Sequence, residues 1–267
     1  MLSISIVIYI LEPRILKELL SSLTNAINEL PQQWRCVPIS VIDNGNQHDD
    51  ITCILSDYKY LLPDIKYIPT KSNIGYGQAH NLAINECNSK YHLILNPDVI
   101  ISSGALKSGL EYLEENNFIS VVAPKVSNEK VEEQHLCKRY PSLVDLVIRG
   151  LPLPIFQKIF SKRLARYESR DITVNNQPVS VELVSGCFML CRTEHLKKCN
   201  GFDKRYFLYF EDFALSVEMA KLGLIYYLPS MKIIHYGGNA SRKGFRHILM
   251  FISSAVKFYN CYGWKFY

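Results

Sequence analysis

Short runs of β-branched and apolar residues alternate with stretches of helical period through the first half of the chain. Strands are predicted at Ile4 to Ile10, Pro38 to Ile42, Ile65 to Ile68 and Tyr91 to Leu95, each followed by a polar turn. Helices are predicted at Arg14 to Glu29, Asp49 to Tyr58, Gly77 to Cys87 and Ser103 to Glu115, the last with Ser103 as its N-cap. Strand and helix in alternation with short connections imply a mostly parallel sheet covered on both faces. Such sheets bind ligands beyond the carboxyl ends of their strands, so the residues that end each strand are the ones to inspect. The second half is more mixed. Val181 to Leu190 is strand-like, Glu211 to Lys221 helical, and Leu224 to His235 fits one or two strands. No internal repeat is visible.

With 267 residues, 48% of them apolar, the chain can bury one substantial core, and one α/β domain with a short appendage is expected. The charged fraction of 21% and the absence of low-complexity tracts exclude a disordered chain. A net charge of +5 and a pI near 8.7 suit an anionic substrate or an acidic lipid surface without choosing between them. The apolar segment Ser3 to Leu11 lacks a basic flank and is too short to span a bilayer, so it is expected to be a buried first strand. A cytoplasmic protein, or one peripheral on the inner face of the cytoplasmic membrane, is expected. Eight cysteines then imply reduced thiols. Cys187, Cys191, His195 and Cys199 recur every four residues, but on one straight helix the outer two would lie about 18 Å apart. That is too far to share a zinc ion with ligands at about 2 Å, so they are expected to be small buried residues.

Three strand-end segments converge on one edge of the expected sheet. Asp98 closes an apolar strand after Pro97, where a carboxylate can bind a divalent cation that bridges a diphosphate or can cap the next helix. Asp43, in Asp43-Asn44-Gly45-Asn46, can accept the imide N–H of uracil or thymine or can simply organise a turn. In Asn73-Ile74-Gly75-Tyr76-Gly77-Gln78-Ala79-His80-Asn81, Gly75 and Gly77 permit close backbone approach at a helix N-terminus that favours phosphate. The third glycine of a dinucleotide fingerprint is missing. Further along, Tyr206-Phe207-Leu208-Tyr209-Phe210-Glu211-Asp212 is an aromatic run ending in two carboxylates at a helix start. Such carboxylates are ordinary dipole partners, yet beside aromatic walls that suit sugar faces one of them can serve as a general base. His235, ending another apolar run, is either structural or a metal ligand as neutral imidazole.

Taken in order, these segments resemble glycosyltransferase family 2, and within it the bacterial O-antigen rhamnosyltransferases. The resemblance rests on Val41 to Gly45, Asn73 to Asn81, Leu95 to Asp98, Ser185-Gly186-Cys187-Phe188-Met189, Gly201-Phe202-Asp203, Phe210 to Asp212 and His235, and it covers nearly the whole chain. It implies a GT-A fold: a single Rossmann-like mixed α/β sheet flanked by helices, with a C-terminal amphipathic helical appendage. It implies Asp212 as catalytic base with Glu211 orienting it or the acceptor, and Asp98 and His235 on a divalent metal, Mg2+ or Mn2+. Asp43, Asn73, Gly75, Gly77, Asn81 and Asp98 would then hold the nucleotide, and Ser185, Gly186 and Tyr209 the acceptor. A sugar, by this resemblance L-rhamnose from dTDP-rhamnose, would pass with inversion to a polyprenyl-diphosphate-linked saccharide. The chain departs from the family in two places. Tyr9-Ile10-Leu11-Glu12 stands where a polar turn is usual, and Ala214 and Glu218 stand where the helix usually has an aspartate and an arginine.

The domain organisation expected is 1–240 for the glycosyltransferase domain, with 1–124 as its nucleotide half and 125–240 as its acceptor half, then 241–267 as a basic helical segment. Between Leu151 and Tyr167, Leu153, Phe156, Ile159, Phe160 and Leu164 recur at near-helical spacing among Lys158, Lys162, Arg163 and Arg166. From Arg242 to Tyr267, Phe245, Ile248, Leu249, Ile252 and Val256 do the same beside Arg246 and Lys257. Both segments fit an anionic membrane surface, or plain packing with a solvated basic face. A UDP-sugar donor, a nucleotidyltransferase at the same sheet edge, and a non-catalytic nucleotide-sugar or membrane-binding module are the competing functions. Nucleic-acid binding is not expected, because the basic residues accompany apolar stripes rather than a base-stacking platform.

Overall fold

A computed structural model describes residues 1–150, 158–237 and 244–267. Strand β1 (Leu2–Ile8) is buried along its whole length because both its faces are covered. On one face Leu2, Ile4, Ile6 and Ile8 enter the main core with Leu16, Leu19, Leu20 and Leu23 of helix α1 (Pro13–Asn28), whose apolar residues recur at helical spacing behind a permitted Pro13. On the other face Ser5 Oγ lies 2.7 Å from His80 Nδ1 and 2.8 Å from His92 Nε2, a polar chain within the interior. Burial pushes the His92 imidazole down to about 3 and that of His80 well below its ordinary value, so both are neutral.

The chain continues through β2 (Ile39–Asp43), α2 (His48–Tyr58), β3 (Ile65–Pro69), α3 (Tyr76–Glu86), β4 (Tyr91–Leu95), β5 (Val99–Ile101), α4 (Ala105–Glu115) and β6 (Ile119–Ser127). Short β7 (Glu133–Gln134) and β8 (Cys137–Lys138) lead to helices α5 (Leu143–Gly150), α6 (Ser161–Tyr167) and α7 (Arg170–Thr173). Then come β9 (Val179–Ser180), β10 (Leu183–Val184), β11 (Phe188–Arg192), α8 (Thr193–Lys198), α9 (Glu211–Ala220), β12 (Leu224–His235) and α10 (Phe245–Tyr262). The main sheet runs β3-β2-β1-β4-β11-β6-β12-β5. Strands β1 to β4 pair in parallel, as do β6 and β12, whereas β11 is antiparallel to both its neighbours, β4 and β6. The sheet is therefore mixed, of the GT-A kind.

Three local expectations change. Ser103 does not cap α4: the cap is Gly104 in the left-handed region, φ 73°, with no side-chain hydrogen bond. Val181 to Leu190 is not one strand, since β10 pairs with β8 in a separate ribbon and Ser185 to Cys187 form the turn into β11. The fourfold cysteine and histidine spacing does not follow one helix, for Cys191 lies in β11 and His195 in α8, where His195 Nδ1 is 2.7 Å from Ser120 Oγ. All eight cysteines are free.

Because β11 is antiparallel, its first residue meets the last residue of β4: Phe188 pairs with Leu95. The turns at Asp43, Asn96 to Asp98 and Ser185 to Cys187 thus open on one sheet edge with the end of β12, where His235 pairs with Val99.

Candidate active site

After β4 the chain turns through Asn96, Pro97 and Asp98 into β5. The N–H of Asn96 donates to Cys187 O at 2.9 Å and that of Tyr236 to Asp98 O at 3.0 Å, which fixes this turn between β11 and β12. His235 Nε2 then lies 3.5 Å from Asp98 Oδ1, a buried oxygen without a hydrogen-bond partner. Burial pushes the Asp98 carboxyl up, but His235 and the Asn96 amide beside it more than offset this and hold it below the usual carboxylate range.

The gap beside these two donors depends on Gly237. A Cβ there would stand 2.4 Å from Asp98 Oδ2 and 3.0 Å from His235 Nε2, so any other residue would fill the space. An unpartnered carboxylate oxygen, a neighbouring imidazole nitrogen and an open space suit Mg2+ or Mn2+, which take their remaining ligands from substrate phosphate and water. Among the described residues no group of three or more His, Cys, Asp or Glu is placed to hold a metal ion. Gln134 and Gly237, which complete the surroundings of this pair, carry no motif and were not anticipated from sequence.

Asp212 stands in the first turn of α9, behind two consecutive residues in the left-handed region, Tyr209 at φ 70° and Phe210 at φ 63°. Neither is glycine, so this turn needs outside support. It comes from α10: the Phe210 ring lies 5.1 Å from Phe251 and 5.3 Å from Phe258, and Ser254 Oγ donates to Leu208 O at 2.8 Å. Tyr209, expected at the acceptor, leans on the same helix, its hydroxyl 2.9 Å from His247 Nδ1 and its ring 5.6 Å from Phe251. Ala214 is buried in this cluster with Ala255, Phe258 and Tyr259, while Glu218 pairs with Lys221 at 2.8 Å. The two departures in α9 therefore serve helix packing and a surface ion pair.

Asp212 accepts the N–H of Gly186 at 3.0 Å and that of Phe213 at 2.9 Å. Burial raises its pKa, and these donors oppose the rise. Glu211 is 5% exposed, its Oε2 has no hydrogen-bond partner, and burial with the neighbouring Asp212 charge pushes it up to about 8. Glu211 is thus the carboxyl held protonated, and Asp212 is the one with N–H donors to stabilise its charged form. Tyr76 joins this base to the Asp98 turn: its hydroxyl lies 2.6 Å from Gly186 O and 3.0 Å from Asn96 Oδ1. Ser185 is half-buried in the same turn.

The nucleotide residues expected from sequence separate into two groups. Asp43 is 1% exposed, and its carboxylate takes the N–H groups of Gly45 at 3.0 Å and Gln47 at 2.7 Å and the Tyr67 hydroxyl at 2.8 Å, so it organises the turn after β2. Asn73 accepts the N–H of Gly75 and the Asn44 amide, both at 2.9 Å, tying the third strand end to the second. Gly75, Gly77 and Asn81 join α3 to residues 201–207. Gly75, φ 90°, is covered by the Phe207 backbone, and a Cβ on Gly77 would lie 2.6 Å from Phe202 Cβ. Asn81 donates to Phe202 O at 2.7 Å and accepts Phe202 N–H at 2.8 Å. The close approaches that these glycines permit are to protein. Tyr9 and Ile10, after β1, are exposed, and the Gln47 amide donates to Tyr9 O at 2.8 Å.

Glycosyl transferase family 2 matches residues 3–198. The chain belongs to glycosyltransferase family 2. It is 24% identical over 216 residues to an N-acetylglucosaminyl-diphospho-decaprenol L-rhamnosyltransferase of Mycobacterium tuberculosis, covering 76% of this chain and 68% of that one. It is 27% identical over 180 residues to the rhamnosyltransferase WbbL of Escherichia coli, covering 64% of each, so it spans about two thirds of these relatives. In fold it is similar to GalNAc-T7 with UDP, GalNAc and Mn2+, at a TM-score of 0.68 and 14% identity over 91% of this chain and 44% of that one. It is also similar to S. aureus TarS in complex with UDP, at a TM-score of 0.61 and 17% identity over 97% and 65% of the two chains.

Proposed function

We propose that this family 2 member is an inverting rhamnosyltransferase that moves L-rhamnose from dTDP-rhamnose to a polyprenyl-diphosphate-linked saccharide, in the assembly of a surface polysaccharide such as O-antigen. The observation that carries this reading is the junction at Gly186: its N–H binds the Asp212 carboxylate, and its carbonyl meets the Tyr76 hydroxyl, which reaches the Asp98 turn. A carboxylate with access to an acceptor hydroxyl and a carboxylate–imidazole pair suited to a diphosphate are the two halves of a displacement at an anomeric carbon. The sugar and the lipid-linked acceptor are those named for the Mycobacterium tuberculosis relative.

Asp212 takes the proton from the acceptor hydroxyl as that oxygen attacks the face of the sugar opposite the leaving group. Glu211, protonated, adds no second charge beside it. Asp98 and His235 would hold Mg2+ or Mn2+, which when bound neutralises charge on the departing nucleoside diphosphate. Asp43 Oδ1, which has one N–H partner, retains acceptor capacity for the imide N–H of thymine.

A lipid-linked acceptor would go with a protein at an anionic membrane surface, on the inner face of the cytoplasmic membrane. Among the described residues no helix is long and apolar enough to cross a bilayer. The outer face of α10 instead leaves Phe245 72%, Leu249 52% and Ile252 53% exposed, with Trp264 and Phe266 exposed beyond it. Of the other amphipathic segment, Leu153 and Phe156 lie outside the described residues, as does Arg242. Ile159 and Lys158 are exposed, whereas Arg163 is taken by Asp145 at 2.6 Å.

The test is transfer by purified protein from dTDP-, UDP- and GDP-sugars to a polyprenyl-diphosphate-linked N-acetylglucosamine, with and without chelator. Transfer from dTDP-rhamnose alone, lost with chelator and in Asp212→Asn, is the expected result. Transfer from a UDP-sugar instead would replace the donor, and pyrophosphate release from a nucleoside triphosphate would replace the reaction.

A further inference from the structure

We infer that Gln134 is a positioning residue that keeps the hydrogen of the neutral His235 ring on Nδ1, so that Nε2, the atom 3.5 Å from Asp98 Oδ1, is the nitrogen left for an ion; the inference rests on the metal half of the reading above. Gln134 lies in β7, the two-residue strand paired with the end of β6. Its side-chain NH2 donates to two backbone carbonyls of the β12 end, His235 O at 3.1 Å and Gly237 O at 3.3 Å. Two acceptors on that side settle which end of the amide is nitrogen, because the reversed amide would set its oxygen against both carbonyls. The other end, Oε1, is then the atom 3.1 Å from His235 Nδ1. An amide oxygen only accepts, so Nδ1 carries the hydrogen.

In a neutral imidazole with a hydrogen on Nδ1, Nε2 presents a lone pair. That atom is the one 3.5 Å from Asp98 Oδ1, itself buried without a hydrogen-bond partner. With a proton on Nε2 the ring pairs with the Asp98 carboxylate, and with that proton gone the two lone pairs, 3.5 Å apart, are two donors set towards a common cation. Gln134 does more than hold the ring. By gripping the carbonyls of His235 and Gly237 it also sets the backbone of the one residue whose missing Cβ leaves the gap open. A single amide thereby fixes the proton, the ring and the wall of the pair. Outer partners of this kind are worth about 10- to 100-fold in metal affinity.

The test uses the full chain labelled with 15N-histidine, metal-free, at roughly pH 8.5, above the ordinary imidazole range. Long-range 1H–15N spectra report the ring, with the His235 signals assigned by their loss in His235→Gln. Wild type is expected to show Nδ1 protonated and Nε2 bare. Gln134→Leu is expected to mix the tautomers and to weaken Mn2+ binding, read by electron paramagnetic resonance with dTDP present, about 10- to 100-fold. Gln134→Met, close in shape and without the amide, is expected to mix the tautomers in the same way, and supplies the comparison if the leucine variant misfolds. A wild-type ring protonated on Nε2, or a folded Gln134→Leu with unchanged tautomer and Mn2+ affinity, would overturn the inference. A wild type with the expected tautomer but no Mn2+ binding would overturn its metal-ligand part together with the metal assignment, while sugar transfer without metal would leave the transferase reading standing.

Discussion

The carboxylate of Asp212 accepts the backbone N–H of Gly186 at 3.0 Å, from a turn whose carbonyl lies 2.6 Å from the Tyr76 hydroxyl. A base held this way keeps its geometry when its basicity is removed. Asp212→Asn can turn its carbonyl oxygen to the Gly186 N–H and gives up the bond from Phe213 N–H, so the fold and the nucleotide site are expected to persist. Turnover should fall by roughly 10²- to 10⁴-fold, the usual worth of a positioned base. Initial-rate kinetics beside calorimetric binding of dTDP checks this, and parallel loss of both would remove Asp212 from the role of base.

Glu211 offers a signature in pH. Its carboxyl is held protonated up to about 8 in the folded chain, against an ordinary value of 4.5. Between those values the unfolded chain releases a proton that the folded chain keeps, so this group lowers stability as pH rises. Below 4.5 both states are protonated and the effect vanishes; above about 8 it is complete. Glu211→Gln removes the titration, and its melting temperature relative to wild type is expected to rise from pH 5 to pH 8 and then level off. A difference that stays flat across this window would show that the carboxyl ionises normally.

Much of the sheet was legible from period alone, because strands β2 and β4 are covered on both faces and their apolar runs end where the turns begin; the run at β1 continues past the strand, which ends at Ile8 and not at Ile10, and leaves Tyr9 and Ile10 exposed. Tyr91 to Leu95 was placed to the residue, and Asp43, Asp98 and His235 stand at strand ends on the edge where they were sought. What escaped is whatever depends on pairing between distant segments. Antiparallel β11 leaves no mark on its own composition, so Ser185 to Cys187 looked like strand interior. Gln134 is one polar residue in a two-residue strand, and its importance appears only when β7 is laid beside β12. Gly77 and Asn81 were expected at the nucleotide, and their approach to a second part of the chain was not, because a glycine signals close approach without saying to what. The partner is Phe202, 121 residues away from Asn81.

Asn81 accordingly carries a stability prediction. Its amide closes two buried hydrogen bonds with the Phe202 backbone, 2.7 and 2.8 Å long. Asn81→Leu would leave a buried N–H and a buried carbonyl unpartnered, at about 1–3 kcal/mol for each such group. A fall in urea midpoint with unchanged slope is expected. Unchanged stability with weakened dTDP binding would return Asn81 to the nucleotide site.

Helix α10 has two apolar faces, and among the described residues one is buried and the other exposed. Phe258 and Tyr259 are buried against the turn that presents Asp212, whereas Ile248, Leu249, Ile252 and Val256 are 51%, 52%, 53% and 41% exposed along the opposite side. Replacing Leu249 and Ile252 together by glutamate removes apolar area from the exposed stripe and adds repulsion from an anionic surface, without touching Phe258 or Ser254. Co-sedimentation with vesicles rich in anionic lipid, at low salt, is expected to be lost, while transfer to a short-chain soluble acceptor and the melting temperature remain near wild type. Loss of soluble activity as well would mean that this face supports the catalytic turn through the helix. Retained vesicle binding would move the membrane contact away from α10.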